Sequence, residues 1–133
     1  MADELRIPIS SAIDIVTARQ QGRALAQNLG FEGGELTLIA AAISEVARNI
    51  VDHAKSGEIL LSAIQQGKKH GIQIIARDEG PGIADLGRAM QYGYSTSRGL
   101  GVGLPGAKWL MDDFDIESKV GRGTTVSMKK WLH

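Results

Sequence analysis

The clearest pattern in the chain is the helical spacing of apolar positions over 35–54, ELTLIAAAISEVARNIVDHA. Leu36, Ile39, Ala40, Ile43, Val46, Ala47 and Ile50 return every three or four residues and mark one face of a helix opened by Gly33 and Gly34. A looser stripe of Ile13, Ile15, Val16, Leu25 and Leu29 predicts an earlier helix over 12–29, with Ser10 or Ser11 as N-cap and Gly30 as its stop. Other apolar segments are short and read as strands. LRIPI (5–9) is one, and Pro8 either places it at a sheet edge or interrupts it, because proline cannot donate to a ladder. EILLSAIQQ (58–66) and GIQIIAR (71–77) flank a polar Gly-Lys-Lys-His turn and predict an antiparallel hairpin. FDIESKV and GTTVSMKKWL predict a closing hairpin that turns at Gly121–Gly123.

Between the hairpins, DEGPGIADLGRAMQYGYSTSRGLGVG (78–103) has no periodic run and is too long for an ordinary connection, so it reads as disordered or as a functional loop. Pro105 suits the first turn of a further helix reaching to about Asp113, in which Trp109 and Met111 are assigned to core packing. The predicted order is β-α-α-β-β-loop-α-β-β. That order implies an α+β two-layer sandwich, a mixed, mostly antiparallel sheet with its helices on one face.

Composition narrows the function classes. A length of 133 residues predicts a single domain. Fifteen Lys and Arg balance fifteen Asp and Glu, which gives no electrostatic reason to expect nucleic acid or an anionic membrane as partner. Cysteine is absent, which excludes disulfides, thiolate metal sites and thiol nucleophiles. With no basic-then-apolar N-terminal segment and no long apolar run, a cytoplasmic location is expected. Glycine is abundant at 17 residues and clusters after residue 70, where backbone must turn sharply or approach something closely.

Four short blocks carry candidate chemistry. In STSRGLGVGLPGAKWLM (95–111), Gly101, Gly103 and Gly106 spell G-x-G-x-x-G, but a dinucleotide loop also needs a strand directly before it and an acidic residue about 20 positions on. A long loop precedes these glycines instead, and only 27 residues follow Gly106, too few for the rest of a doubly wound sheet. A protein-kinase glycine loop fails as well, because the later H-R-D and D-F-G elements are missing. Glu45 and Asn49 stand four apart on one helix face, beside the apolar stripe. A carboxylate and an amide one turn apart can hold hydrated Mg²⁺ and deprotonate a hydroxyl, or can be a solvated polar edge. Asp78-Glu79-Gly80-Pro81-Gly82 sets a carboxylate at a strand end, where it can accept from an exocyclic amine while Gly80 and Gly82 leave room for a flat ring; it also suits a plain turn. Gly121-Arg122-Gly123-Thr124 has the same two readings. His53, His70 and His133 are scattered and form no metal-ligand cluster.

Taken in order, E-x-x-x-N on a helix, D-x-G-x-G after a strand, G-x-G-x-G before a helix and G-x-G-T entering the last strand resemble the nucleotide-binding boxes of the GHKL ATPase superfamily (Bergerat fold). The resemblance covers nearly the whole chain. The compact length, with SEVARNI, DEGPGI, YGYSTSRGLGVGLPGAKWLMDDF and KKWL, is similar to the serine/threonine kinases of bacterial partner-switching modules, most of all the stressosome switch kinases.

The resemblance implies ATP and Mg²⁺ as cofactors. It implies that Asp78 binds the adenine amine with Thr124 in its hydrogen-bond network, that Asn49 ligates Mg²⁺, and that Glu45 is the general base on the attacking hydroxyl. Gly80 and Gly82 would border the base. Gly99, Leu100, Gly101, Val102, Gly103 and Leu104 would form the lid end that meets the phosphates at a helix N-terminus, where free N–H groups favour an anion. Arg98 either reaches the γ-phosphate or is a solvated lid residue, and Lys108 reads as a surface residue. Implied partners are STAS-domain scaffold or antagonist proteins as substrates and a PPM-type phosphatase that is bound and activated on release. Two other functions fit the same boxes: an anti-sigma factor kinase that sequesters a sigma factor, and a nucleotide-sensing binding module without phosphoryl transfer.

Overall fold

Strand alternation and two amphipathic helices build the molecule from the inside outward. The computed structural model describes residues 4–82 and 103–132. It contains β1 (Leu5–Ile9), α1 (Ala12–Leu29), α2 (Gly34–Ala54), β2 (Gly57–Gln66), β3 (Lys69–Asp78), α3 (Gly103–Leu110), β4 (Asp113–Lys119) and β5 (Gly123–Trp131). The strands form one five-stranded sheet in the order β1-β2-β3-β5-β4, antiparallel at every junction. Ile7 and Ile9, Ile59 and Leu61, Ile72 and Ile74, and Val126 and Met128 point to one face and are buried there. The helices cover that face through Leu36, Ile39, Ile43, Val46, Ala47 and Ile50 of α2, which sit in the same core as Leu104, Ala107 and Met111.

The elements follow the sequence pattern closely, with instructive departures. The first hairpin is tighter than expected, since Gln66 pairs with Lys69 across a two-residue turn whose Gly67 has φ 61°. Ser11 is the N-cap of α1, and the Asp14 carboxylate accepts the Ser10 and Ser11 N–H groups at 2.8 and 3.2 Å. The Ser10 N–H above all holds the Asp14 carboxyl below its usual range.

The inward face of α1 keeps Ile15, Leu25 and Leu29 of the expected stripe but not Ile13 and Val16. Ile15, Ala18, Gly22 and Ala26 are buried, whereas Ile13 is 74% exposed and Val16 36%. Small residues win because α1 lies tightly on α2, and a side chain at Gly22 would strike Ile43. The assignment of Trp109 to the core is also corrected: it is 81% exposed. Leu104, Ala107 and Met111 set the inward side of α3 and its exit, and Trp109, two residues past Ala107, lies about 200° round the helix. Among the described residues no helix is long and apolar enough to cross a membrane.

On the opposite face of the sheet, Glu58 joins three strands. Its carboxylate accepts from Arg6 Nε on β1 and from Arg77 Nη2 on β3 at 2.6 Å. Arg77 first, and Arg6 second, hold the Glu58 carboxyl below its ordinary value of 4.5. The unfolded chain therefore binds the extra proton first as pH falls. The contribution of these pairs is complete above the ordinary value of 4.5 and is lost as pH drops through the lower folded value. Glu58→Gln is expected to cost up to about 1 kcal/mol near neutral pH, because the arginines are largely exposed. It should also flatten the acid limb of the stability curve. Thermal melts from neutral pH into acid check this, and parallel curves for the two proteins would refute it.

Candidate active site

The end of β3 and the start of β5 meet because antiparallel pairing sets Asp78 directly opposite Thr124. Asp78 Oδ1 accepts the Gly80 N–H at 2.9 Å and the Thr124 N–H at 3.2 Å. Among the described residues Oδ2 has no partner, so the carboxylate is anchored by one oxygen and presents the other. Gly121 N–H donates to Pro81 O at 2.8 Å, which ties the D-x-G-P-G turn to the β4–β5 hairpin. Thr124 is 5% exposed, and its Oγ1 lies 2.8 Å from Ser118 Oγ across the β4–β5 ladder.

Glycine is required at two of these positions. Gly123 has φ 112°, and a Cβ there would enter the Asp78 main chain. Gly82 has φ 77°, and its Cβ would enter the Lys119 carbonyl. At Gly80 a Cβ would come within 2.6 Å of Ala54 Cβ at the end of α2. The floor beside Asp78 is thus bare backbone packed against backbone. Such a floor suits a flat ring, and the exposed Asp78 oxygen suits an amine donor on it.

The last turns of α2 supply the second half. Glu45 and Asn49 share a face, as their spacing predicts. Glu45 is not on a solvated edge, however: it is 4% exposed, inside the apolar stripe. Its charge is met by Arg48, whose Nη1 donates to Glu45 Oε1 at 2.9 Å. Asn49 is half-buried and His53 exposed. Among the described residues no three His, Cys, Asp or Glu are grouped to hold an ion. Hydrated Mg²⁺ that arrives with nucleotide phosphates needs only one or two protein oxygens, and the Asn49 amide fits that demand.

Gly103 begins α3 with φ 52°, followed by buried Leu104 and Pro105. Arg98, Gly99, Leu100, Gly101 and Val102 lie outside the described residues. The chain motifs therefore converge as follows: Asp78, Gly80, Gly82, Gly123 and Thr124 form one connected patch, and Glu45 and Asn49 form another on α2. Two participants were not anticipated. Ser118 had no motif to flag it, although its register opposite Thr124 could have been inferred from the closing hairpin. Arg48 stands three residues from Glu45, and that ion-pair spacing was the available signal.

Comparison with known proteins agrees with this fold. The profile of the family described as "Histidine kinase-like ATPase domain" matches residues 10–130. Serine/threonine-protein kinase RsbT of Bacillus subtilis (strain 168) is 47% identical over 132 residues, covering 99% of each chain. An anti-sigma F factor from Thermoanaerobacter sp. (strain X514) is 36% identical over 104 residues, covering 74% of this chain and 71% of that one. The solved mycobacterial sensor histidine kinase MprB superposes with a TM-score of 0.58 over 96% of this chain and 97% of that one, at 16% identity, and so shares the fold. A two-layer architecture, a strand-end carboxylate on a glycine floor, and relatives that match from end to end lead to one assignment: the chain belongs to the histidine kinase-like ATPase family, on its serine/threonine-kinase branch.

Proposed function

We propose that this chain transfers the γ-phosphoryl group of Mg·ATP to a serine or threonine of a STAS-domain partner, and on release from that partner binds and activates a PPM-type phosphatase. The observation that carries the nucleotide assignment is the Asp78 carboxylate, held at Oδ1 by two backbone N–H groups and open at Oδ2. An adenine amine donates to that oxygen, with the ring on the glycine floor and the Thr124 hydroxyl completing the polar edge. Asn49 holds Mg²⁺, which would neutralise charge on the phosphates. Glu45 takes the proton of the acceptor hydroxyl as its oxygen bonds to the γ-phosphorus and the bond to the β-phosphate oxygen breaks, so that ADP leaves. Gly99, Leu100, Gly101, Val102, Gly103 and Leu104 supply the phosphate-facing backbone, and Arg98 offsets charge on the γ-phosphate.

A second reading is favoured by the anti-sigma F relatives: the same kinase site, with a sigma factor as the sequestered partner. The end-to-end match to RsbT, against 74% coverage for the anti-sigma factor, supports the first. Affinity capture from the source cells separates them. Recovery of a STAS-domain protein or a PPM-type phosphatase supports the first, and recovery of a sigma subunit alone overturns it.

Asp78→Asn tests the base contact cleanly. The asparagine Oδ1 can still accept from Gly80 and Thr124, so the fold is retained, but an NH₂ donor replaces the oxygen offered to the amine. ADP affinity should fall at least about tenfold, the loss expected when a hydrogen bond to a charged group becomes a donor–donor clash. Unchanged affinity by titration calorimetry would refute the assignment. Glu45→Gln should bind ADP normally and lose about 10²- to 10⁴-fold in phosphoryl transfer, the usual range for a general base. Full transfer activity in that variant would remove Glu45 from the chemistry.

A further inference from the structure

Glu45 is unusual among the charged groups of the described chain in being almost fully buried, at 4% exposure. A carboxylate removed from water in this way requires a compensating charge or hydrogen bonds. Its flanking residues offer none, since Val46 and Ala47 are apolar and the Ser44 hydroxyl is spent on Ala40 O at 3.0 Å. Among the described residues Arg48 is its partner, through Nη1 to Oε1. Among the described residues no buried side-chain oxygen or nitrogen lacks a partner, so the second oxygen, Oε2, is the one that keeps contact with solvent.

That division is mechanically useful. The terminal torsion of a glutamate is broad and nearly two-fold, so an untethered carboxylate exchanges its oxygens and samples many orientations. A general base has to hold a defined lone pair within hydrogen-bond reach of the proton it takes. One short charge-assisted bond to Oε1 removes most of that freedom and leaves Oε2 facing outward. Arg48, itself 27% exposed, is anchored one helical turn along the same rigid element. We infer that Arg48 is a positioning residue that fixes the Glu45 carboxylate by Oε1 and presents Oε2 to the acceptor hydroxyl; this rests on the assignment of Glu45 as base made above.

The test uses the full chain with phosphoryl transfer from Mg·ATP to a STAS-domain protein, and ADP affinity measured in parallel. Arg48→Ala should lower kcat by about 10- to 100-fold, the scale of a misplaced catalytic group, with KM for ATP and ADP affinity within about threefold of the parent. Arg48→Lys should fall between the two, because lysine keeps the charge and loses the planar fork. In a Glu45→Gln background, Arg48→Ala should cost nothing further, since the group it positions is already gone. An unchanged kcat in Arg48→Ala overturns the inference. So does a fall in ADP affinity that matches the fall in kcat, or an additional loss in the Glu45→Gln background, which would mean that Arg48 acts on the phosphates itself. Should Arg48→Ala fail to fold with its stranded carboxylate, Arg48→Lys and the double variant, which has none, decide the matter. Full activity of Glu45→Gln would remove both the base and its positioner, whereas an inactive Glu45→Gln beside a fully active Arg48→Ala would remove Arg48 alone.

Discussion

Antiparallel pairing of β3 with β5 brings Asp78 opposite Thr124, and the arrangement of the nucleotide end depends on that one rung of the ladder. The Thr124 N–H reaches across it to Asp78 Oδ1, while Gly80 returns to the same oxygen from the turn beyond. Two segments far apart in the chain thereby become one surface. The constraint is also steric: side chains at Gly123 and Gly82 would enter the main chain of the neighbouring segment, so the two glycine-containing turns can lie together only as glycines. A Cβ at either place would part the turns before it touched any ligand.

The helical layer obeys a different rule. α2 lies over the sheet with its apolar stripe, carries Glu45 and Asn49 on its second half, and ends at Ala54 against Gly80. Its position is fixed partly from the side, where Ala18, Gly22 and Ala26 let α1 approach closely. Close packing makes α2 a stiff support, which the base role proposed for Glu45 requires. It also draws Glu45 out of water, and this is why Arg48 becomes necessary. The ion pair is a consequence of where the helix must sit.

Much of this was legible in the sequence, and the remainder was hidden for identifiable reasons. The stripe of α2 was plain because its members are regularly spaced, and the hairpins were marked by short polar turns, though not their register. The inward face of α1 was misread in part because periodicity favours bulk: Ile15, Leu25 and Leu29 do face the core, but Ile13 and Val16 do not, and Ala18, Gly22 and Ala26 make the close approach. Trp109 was misplaced for the same reason, since size suggests burial and only the phase set by Leu104, Ala107 and Met111 reveals the outward face. Glu45 was found by its spacing to Asn49, but its burial was not, because a carboxylate in an apolar stripe looks the same in sequence as one beside it. Asp78 and the glycines were legible as turns, and only their mutual order pointed to a nucleotide.

Asp78 and Glu45 are held in the same manner, each by one oxygen, with the other left to act. Their anchors differ in kind. Asp78 is gripped by backbone N–H groups, and at Thr124 no substitution other than proline removes the donor, so the half of the site proposed to read the base is written into the chain path itself. Glu45 is gripped by a side chain, which a single substitution can delete, shorten or leave uncharged. Binding and chemistry are therefore separable on this scaffold. On the proposed roles, the glycine floor beside Asp78 can persist unchanged while the set of the Glu45 carboxylate is altered, and a family that holds both kinases and anti-sigma factors can diverge in its chemistry without rebuilding the shared fold.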